Sequence, residues 1–301
     1  MKPVDLAQNT PEWLEWRSHH IGGSDAPAIM FVDAFTDRYR LWQQKTGKIV
    51  TPVNKRIAKY ETAAERGKRL EPVARQKYCI QFGVFAPAAC FENDREGETF
   101  MSASVDGYVS NNRIIEIKCP SDGRTHLDAR EGQVEPAYQV QMQHCMHVAE
   151  VEHCDYVSFY NDDLVVVEVS YNAKFVNDEL IPQERIFWQA IQDNAYPLPN
   201  MEIMADLTAD KEAAAILDDY LKFRRMREDA EEKERIALAQ LKRRLIDSGK
   251  AKGPGAYLHW EHRRGKIDYQ QLPEVQMVLK SGVNLDQYRS PETLILYVER
   301  S

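Results

Sequence analysis

The spacing of apolar residues along the chain changes several times, and each change marks a different kind of element. From Asn54 to Phe82, the residues Ile57, Tyr60, Ala64, Leu70, Ala74 and Tyr78 fall on a roughly helical stripe, which predicts a long helix. Pro72 lies inside it and should kink it or mark a new first turn, because its ring has no N–H and crowds the preceding turn. Between Val84 and Val169 the period drops to two and turn residues multiply, which predicts strands around Phe100–Val109, Ile114–Cys119, Tyr156–Tyr160 and Leu164–Ser170. Asn111-Asn112 and Asn161-Asp162-Asp163 read as the hairpin turns. A helical stretch, Ala137–Ala149, separates the two strand pairs, and another, Phe175–Ala195, follows them. Helix, strands, helix, strands is the order of an α/β chain with a mixed sheet and helices on its faces.

Upstream, Thr10 followed by Pro11 and Glu12 has the form of a helix start, which predicts a helix over Pro11–His19. Ile21-Gly22-Gly23-Ser24-Asp25 breaks the chain before Ala26–Met30 resumes a helical pattern. Downstream, Pro197-Leu198-Pro199 punctuates the periodic region and sets the expected division, a core over residues 1–200 and an appendage over 201–301. The appendage opens on a heavily charged helical pattern, Asp210–Asp247, about 55 Å long if unbroken. Its apolar positions are too irregular for a sustained heptad, which favours an arm or a helical hairpin packed back on the core. Gly249–Gly255 should end it, with Ala256–Arg263 and Lys266–Tyr269 as a terminal hairpin.

The 301 residues carry 39 Lys+Arg against 47 Asp+Glu, a net charge of -8, with 43% hydrophobic side chains, a balance that excludes a disordered chain and a histone-like polycation. The clean apolar runs, Leu164–Val167 among them, are far too short to span a bilayer, and Met1–Asp5 has no apolar signal core, so a cytosolic, membrane-free protein is expected. Five cysteines, 79, 90, 119, 145 and 154, contain no C-x-x-C pair, which argues for reduced thiols over a disulfide framework or a zinc or iron–sulfur cage. Charge is uneven: residues 222–266 hold 14 Lys+Arg against 7 Asp+Glu, and residues 55–77 hold 8 against 3. Such stretches read either as solvated helix faces or as a basic surface for phosphates on an acidic protein.

The chemistry concentrates in Ser104-Val105-Asp106-Gly107-Tyr108-Val109 and Ile114-Ile115-Glu116-Ile117-Lys118-Cys119-Pro120. Alternate residues of a strand share a face, so Glu116 and Lys118 point one way while Ile115 and Ile117 point the other. A hairpin would set Asp106 beside Glu116, with Glu71 available from the preceding helix. Hard cations such as Mg²⁺ take carboxylates, waters and phosphate oxygens, and a lysine alongside can orient water or stabilise charge on phosphorus oxygens. That is a phosphodiester-hydrolysing arrangement, although alternating Glu and Lys also serve as ordinary cross-strand ion pairs. Arg17 and Ser24 similarly combine into a phosphate cradle at a helix entry, or Ser24 or Asp25 simply caps that helix.

The blocks Arg17…Ile21-Gly22-Gly23-Ser24-Asp25, Arg66-Gly67-Lys68-Arg69-Leu70-Glu71-Pro72-Val73-Ala74-Arg75, Ser104-Val105-Asp106-Gly107, Glu116-Ile117-Lys118-Cys119-Pro120 and Tyr138-Gln139-Val140-Gln141-Met142-Gln143 occur in this order over residues 10–195. In that order they resemble the YqaJ-type viral recombinase nucleases, relatives of phage lambda exonuclease with the PD-(D/E)xK restriction-endonuclease-like fold. The resemblance implies that Asp106 and Glu116, with the backbone carbonyl of Ile117, bind Mg²⁺, two ions in all and replaceable by Mn²⁺. It makes Lys118 the catalytic lysine and Glu71 a residue that completes the metal site or holds its water. It gives Gln141 the scissile phosphate or the nucleophilic water, and Arg17 and Ser24 a terminal 5′-phosphate. The family proline is Val105 here, a position without a ligand atom. Tyr138, Gln143, Arg263 and Arg264 are further candidates for DNA contact, Tyr138 equally for packing, while His144 and His147, three residues apart, read as structural.

The implied activity is Mg²⁺-dependent degradation of the 5′-ended strand from double-strand ends, leaving a 3′ single strand for annealing-type recombination. A ring-shaped homotrimer and a single-strand annealing partner are implied with it. Two other readings stand beside it: a restriction-like or repair endonuclease, and a non-catalytic DNA-binding or assembly module.

Overall fold

Strand pairing near the N-terminus builds two four-stranded sheets, and the chain passes from one to the other at Asp106. The computed structural model describes residues 1–33, 35–49, 62–109, 112–121, 123–196, 210–245, 250–253 and 256–259. The chain divides into two units, Met1–Pro197 with Ser290–Ser301, and Leu198–Arg289.

The first unit runs through β1 (Lys2–Val4), α1 (Pro11–Ser18), β2 (Ile21–Gly22), α2 (Ala26–Ile29), α3 (Arg38–Lys45), α4 (Ala63–Phe82), β3 (Ala89–Glu92), β4 (Met101–Val105), β5 (Gly107–Val109) and β6 (Arg113–Lys118). It continues with α5 (Arg124–Arg130), α6 (Pro136–Ala149), β7 (His153–Tyr160), β8 (Asp163–Ser170) and α7 (Ala173–Phe175), which passes through a π-helical turn (Val176–Leu180) into α8 (Ile181–Gln192). One sheet has the order β1-β3-β4-β2, the other β5-β6-β7-β8. β2 lies parallel to β4 and β6 parallel to β7, while the remaining pairs are antiparallel, so both sheets are mixed, as the order of elements in the sequence implied.

Period-two alternation decides what the second sheet packs against. Ile115, Ile117, Val157 and Phe159 join Ala74 and Tyr78 of α4 in one apolar cluster, whereas Ile114, Cys154 and Tyr156 join Met142, Cys145 and Met146 of α6 in a larger one. Glu116 and Lys118 therefore leave β6 on the α6 side. The β7–β8 turn is two residues, Asn161 and Asp162, both at positive φ (48° and 69°), the backbone that a tight hairpin demands. Helix starts also follow local chemistry: Thr10 accepts from Trp13 N at 3.2 Å, and Thr62 and Glu65 form a reciprocal capping box at the head of α4.

Several expectations change. The described part of the helix expected from Asn54 begins at Ala63, and residues 54–61 lie outside the described residues. No new helix begins at Pro72; α4 runs through it, leaving the Lys68 carbonyl without its usual helical donor. β1, β3, α3 and α5 are elements beyond those read from the pattern. In the second unit, α9 (Lys211–Arg244) is one unbroken helix of 34 residues, about 51 Å long, and not a helical hairpin. Asp210 caps it by accepting from Glu212 N and Ala213 N. The hairpin after it, β9 (Lys250–Gly253) with β10 (Ala256–His259), starts inside the stretch expected to be a terminating turn. Trp260, Arg263, Arg264 and Lys266–Tyr269 lie outside the described residues.

Candidate active site

Asp106 is the single residue between β4 and β5. β5 pairs with β6 so that Gly107 faces Ile115, which brings Asp106 level with Glu116. Gly107 permits that approach: a Cβ there would stand 2.5 Å from Ile115 and 3.0 Å from the Ala86 carbonyl. Asp106 Oδ2 accepts from the Ile117 N–H at 2.7 Å. The N–H and C=O of an extended residue face the same strand edge, so the Ile117 carbonyl is directed toward Asp106 as well.

Glu116 Oε1 accepts from Lys118 Nζ and from Gln141 Nε2, both at 2.6 Å, and Lys118 Nζ reaches Gln141 Oε1 at 3.3 Å. The three side chains thus form a closed triangle between β6 and α6. One turn before Gln141, the Tyr138 ring centroid lies 4.7 Å from Lys118 Nζ and stacks beside Tyr156, so Tyr138 supplies both packing and a cation–π face. On α4, Glu71 lies 3.5 Å from Arg75 Nη2, and Arg75 Nη1 donates to the Asp106 carbonyl at 2.8 Å.

Charge is crowded here. Burial, then Glu116 and Glu71, push the Asp106 carboxyl well above the usual carboxylate range. Burial likewise raises Glu71, with Arg75 opposing and Glu116 adding. Burial works against the Lys118 ammonium, but Glu116 and Asp106 prevail and raise its pKa, so it stays a donor and not a base.

Among the described residues no cluster of three or more His, Cys, Asp and Glu side chains stands at metal-ligand spacing. The donors that converge here suit a hard cation of another habit: two carboxylates and a main-chain carbonyl, with the remaining positions left to water and phosphate oxygens. Mutual repulsion among Asp106, Glu116 and Glu71 is the charge that a divalent cation neutralises. The cleft, about 170 Å³, is lined by these three together with Arg17, Ser24, Lys68 and Gln141.

Arg17 Nη2 donates to Ser24 Oγ, and the guanidinium lies 4.5 Å from the Trp13 ring centroid. A Cβ on Gly23 would meet Cys145 Sγ at 2.4 Å, so the turn seats against α6 next to Gln141 only because that residue is glycine. Asp25 occupies the N-cap position of α2 without a capping bond; its carboxylate takes the Gly22 N–H at 2.9 Å. With only four residues, α2 offers little dipole, so an anion placed here would meet Arg17 and Ser24 rather than a helix terminus.

Asp106, Glu116, Lys118, Glu71, Gln141, Arg17 and Ser24 therefore come together, and Tyr138 borders them. Gln143 does not: its buried amide donates to the Ser170 carbonyl at 2.9 Å and accepts from Asn172 N at 2.7 Å, tying α6 to the end of β8. His144 and His147 are structural, with acidic partners that their neighbourhood in the sequence does not announce, Glu184 and Glu98, each at 2.8 Å. Sequence reading missed Lys68, although its position three before Glu71 on a helix places it on the same face. It also missed Trp13, whose Nε1 donates to Ser104 Oγ at 2.9 Å.

Residues 12–152 match the family described as YqaJ-like viral recombinase domain. Over 150 residues the chain is 30% identical to the uncharacterized protein YqaJ of Bacillus subtilis (strain 168), a match spanning 48% of this chain and 44% of that protein, less than half its length. The structure is similar to the alkaline exonuclease LHK-Exo of Laribacter hongkongensis, including a complex with dAMP, with TM-score 0.52 and 22% identity over 62% of this chain and 94% of that one. At that identity the likeness speaks for the fold, restriction-endonuclease-like with mixed sheets between helices.

Proposed function

We propose, from the match of residues 12–152 to the YqaJ-like viral recombinase domain, that this chain is a Mg²⁺-dependent DNA exonuclease, served also by Mn²⁺, that degrades the 5′-ended strand from double-strand ends. The observation that carries the reading is one cleft lined by Asp106, Glu116, Gln141, Arg17 and Ser24, with Lys118 bonded to Glu116 and the Ile117 N–H to Asp106. The dAMP complex of the similarly folded LHK-Exo supports a nucleoside monophosphate as product.

Asp106, Glu116 and the Ile117 carbonyl would hold the cation, two in number if Glu71 contributes. When bound, Mg²⁺ supplies charge neutralisation at the phosphoryl oxygens and a more acidic water. Lys118, kept protonated by its acidic neighbours, donates to the phosphoryl oxygen or steers the attacking water. Gln141 fixes Lys118 and Glu116 in one geometry, and its second amide N–H would serve the scissile phosphate or the attacking water. Arg17 offers two N–H donors, and Ser24 an O–H, to a terminal phosphate. Water adds to phosphorus and the P–O3′ bond breaks, so a mononucleotide leaves and the phosphate stays on the shortened strand. Each cut thereby renews the 5′-phosphate that Arg17 and Ser24 suit. The same reading includes a 3′ single strand handed to an annealing protein and a homotrimeric ring around the duplex, which would keep the enzyme on its substrate.

A linear duplex labelled at either end tests it, with Mg²⁺ or chelator. Loss of label from the 5′ terminus first, abolished by chelator and reduced at least about 10³-fold by Asp106→Ala or Lys118→Ala, is the expected result. Cleavage of closed circular DNA would favour the endonuclease reading, and full activity of Asp106→Ala would remove the site.

A further inference from the structure

The corner that presents Arg17 and Ser24 is held by a lysine from a helix absent from the sequence pattern. Lys45 closes α3, and its side chain is only 11% exposed. Its Nζ donates to the Arg17 carbonyl at 3.1 Å and the His20 carbonyl at 2.7 Å, and lies 2.7 Å from Asp25 Oδ2. Those three partners match the three protons of an ammonium. Arg17 and His20 flank the C-terminal end of α1, where carbonyls lack helical donors and a cation is favoured. Asp25 in turn grips the Gly22 N–H, at 2.9 Å. One ammonium therefore ties the end of the helix bearing Arg17 to the turn bearing Ser24.

The geometry points to Lys45, acting through Asp25, as the positioning residue that sets the Arg17–Ser24 pair at the spacing a terminal 5′-phosphate requires, and so as a determinant of the preference for phosphorylated ends. This rests on the reading of Arg17 and Ser24 as the 5′-phosphate subsite. Lys45 touches no substrate. Its contribution is the alignment of α1, which carries Arg17 and buries only Trp13, against the turn before α2, all four residues of which are buried. Without the tie, the end of α1 is left to the Arg17–Ser24 bond and the Trp13 contact, and re-forming the pair around a bound phosphate costs ordering entropy.

Steady-state degradation by the full chain separates the possibilities, using duplexes that differ only in a 5′-phosphate or 5′-hydroxyl on the digested strand. Lys45→Met leaves the Asp25 carboxylate without its cation. The double variant Lys45→Met/Asp25→Asn removes that charge, keeps an oxygen for Gly22 N–H, and preserves the fold. In the double variant the phosphate preference should fall about tenfold, the worth of one charge-assisted hydrogen bond, through a higher KM for phosphorylated ends. Its kcat, and its rate on hydroxyl ends, should match the wild type. A wild-type preference retained in the double variant overturns the inference, as does an equal loss on both kinds of end, which would mark Lys45 as merely structural. A wild type indifferent to the phosphate overturns the subsite reading itself, and the inference with it.

Discussion

Asp106 carries its charge where burial and two other carboxylates oppose it. Because its pKa is raised in the folded chain, the protonated form favours folding. That contribution is complete below the unfolded pKa and is lost as pH rises through the folded value. Asp106→Asn removes the charge and leaves an oxygen for the Ile117 N–H. In chelator at neutral pH, the variant should unfold at higher denaturant, by about 1 kcal/mol, at the cost of activity. Adding Mg²⁺ should raise the stability of the wild type and not of the variant. A variant less stable than wild type in chelator would show that the carboxylate is not under strain. Lys118 has the complementary position: the carboxylates that burden one another are what keep it cationic.

At the level of elements, the site depends on how closely β5 lies on β6. Gly107→Ala inserts a methyl group 2.5 Å from Ile115, in a cluster that also packs α4, and should destabilise the fold by about 1–3 kcal/mol in denaturant unfolding. Unchanged stability would mean that the strands can part without cost. This hairpin was legible in the sequence because alternation and turn chemistry agree locally, as they do at Asn161-Asp162 and along α6. α3 was not, since only Leu41 and Trp42 among its residues bring buried apolar side chains, and α5 buries only His126 and Ala129. β1 and β3 are three and four residues long and exist through each other and β4. Gln143 stands apart from Gln141 because two residues on a helix differ by about 200° and cannot face the same cleft. Lys45 and the partners of His144 and His147 were beyond reach because tertiary packing alone brings them near.

Across the whole first unit, the deepest polar link is His144 with Glu184, both fully buried, joining α6 to α8 while His144 Nε2 meets the Ser102 carbonyl of β4 at 2.9 Å. A ring flanked by a carboxylate and a carbonyl favours protonation at both nitrogens: burial opposes that charge, but Glu184 prevails and raises the pKa. Its stabilising effect is present below the unfolded pKa and fades as pH rises through the folded one. Removing one partner, as in His144→Leu, should cost about 3–5 kcal/mol in unfolding free energy, and the double change His144→Leu/Glu184→Leu much less. Equal losses would show that the pair is uncoupled. The second unit has the opposite character. No residue of α9 is buried, and the ion pairs Arg224–Glu228, Arg227–Glu231, Lys233–Asp229 and Arg235–Glu232 decorate its length. Such pairs weaken as dissolved salt screens them. The ion-paired face of α9 is accordingly expected to stiffen the helix most in dilute buffer and to yield as ionic strength climbs.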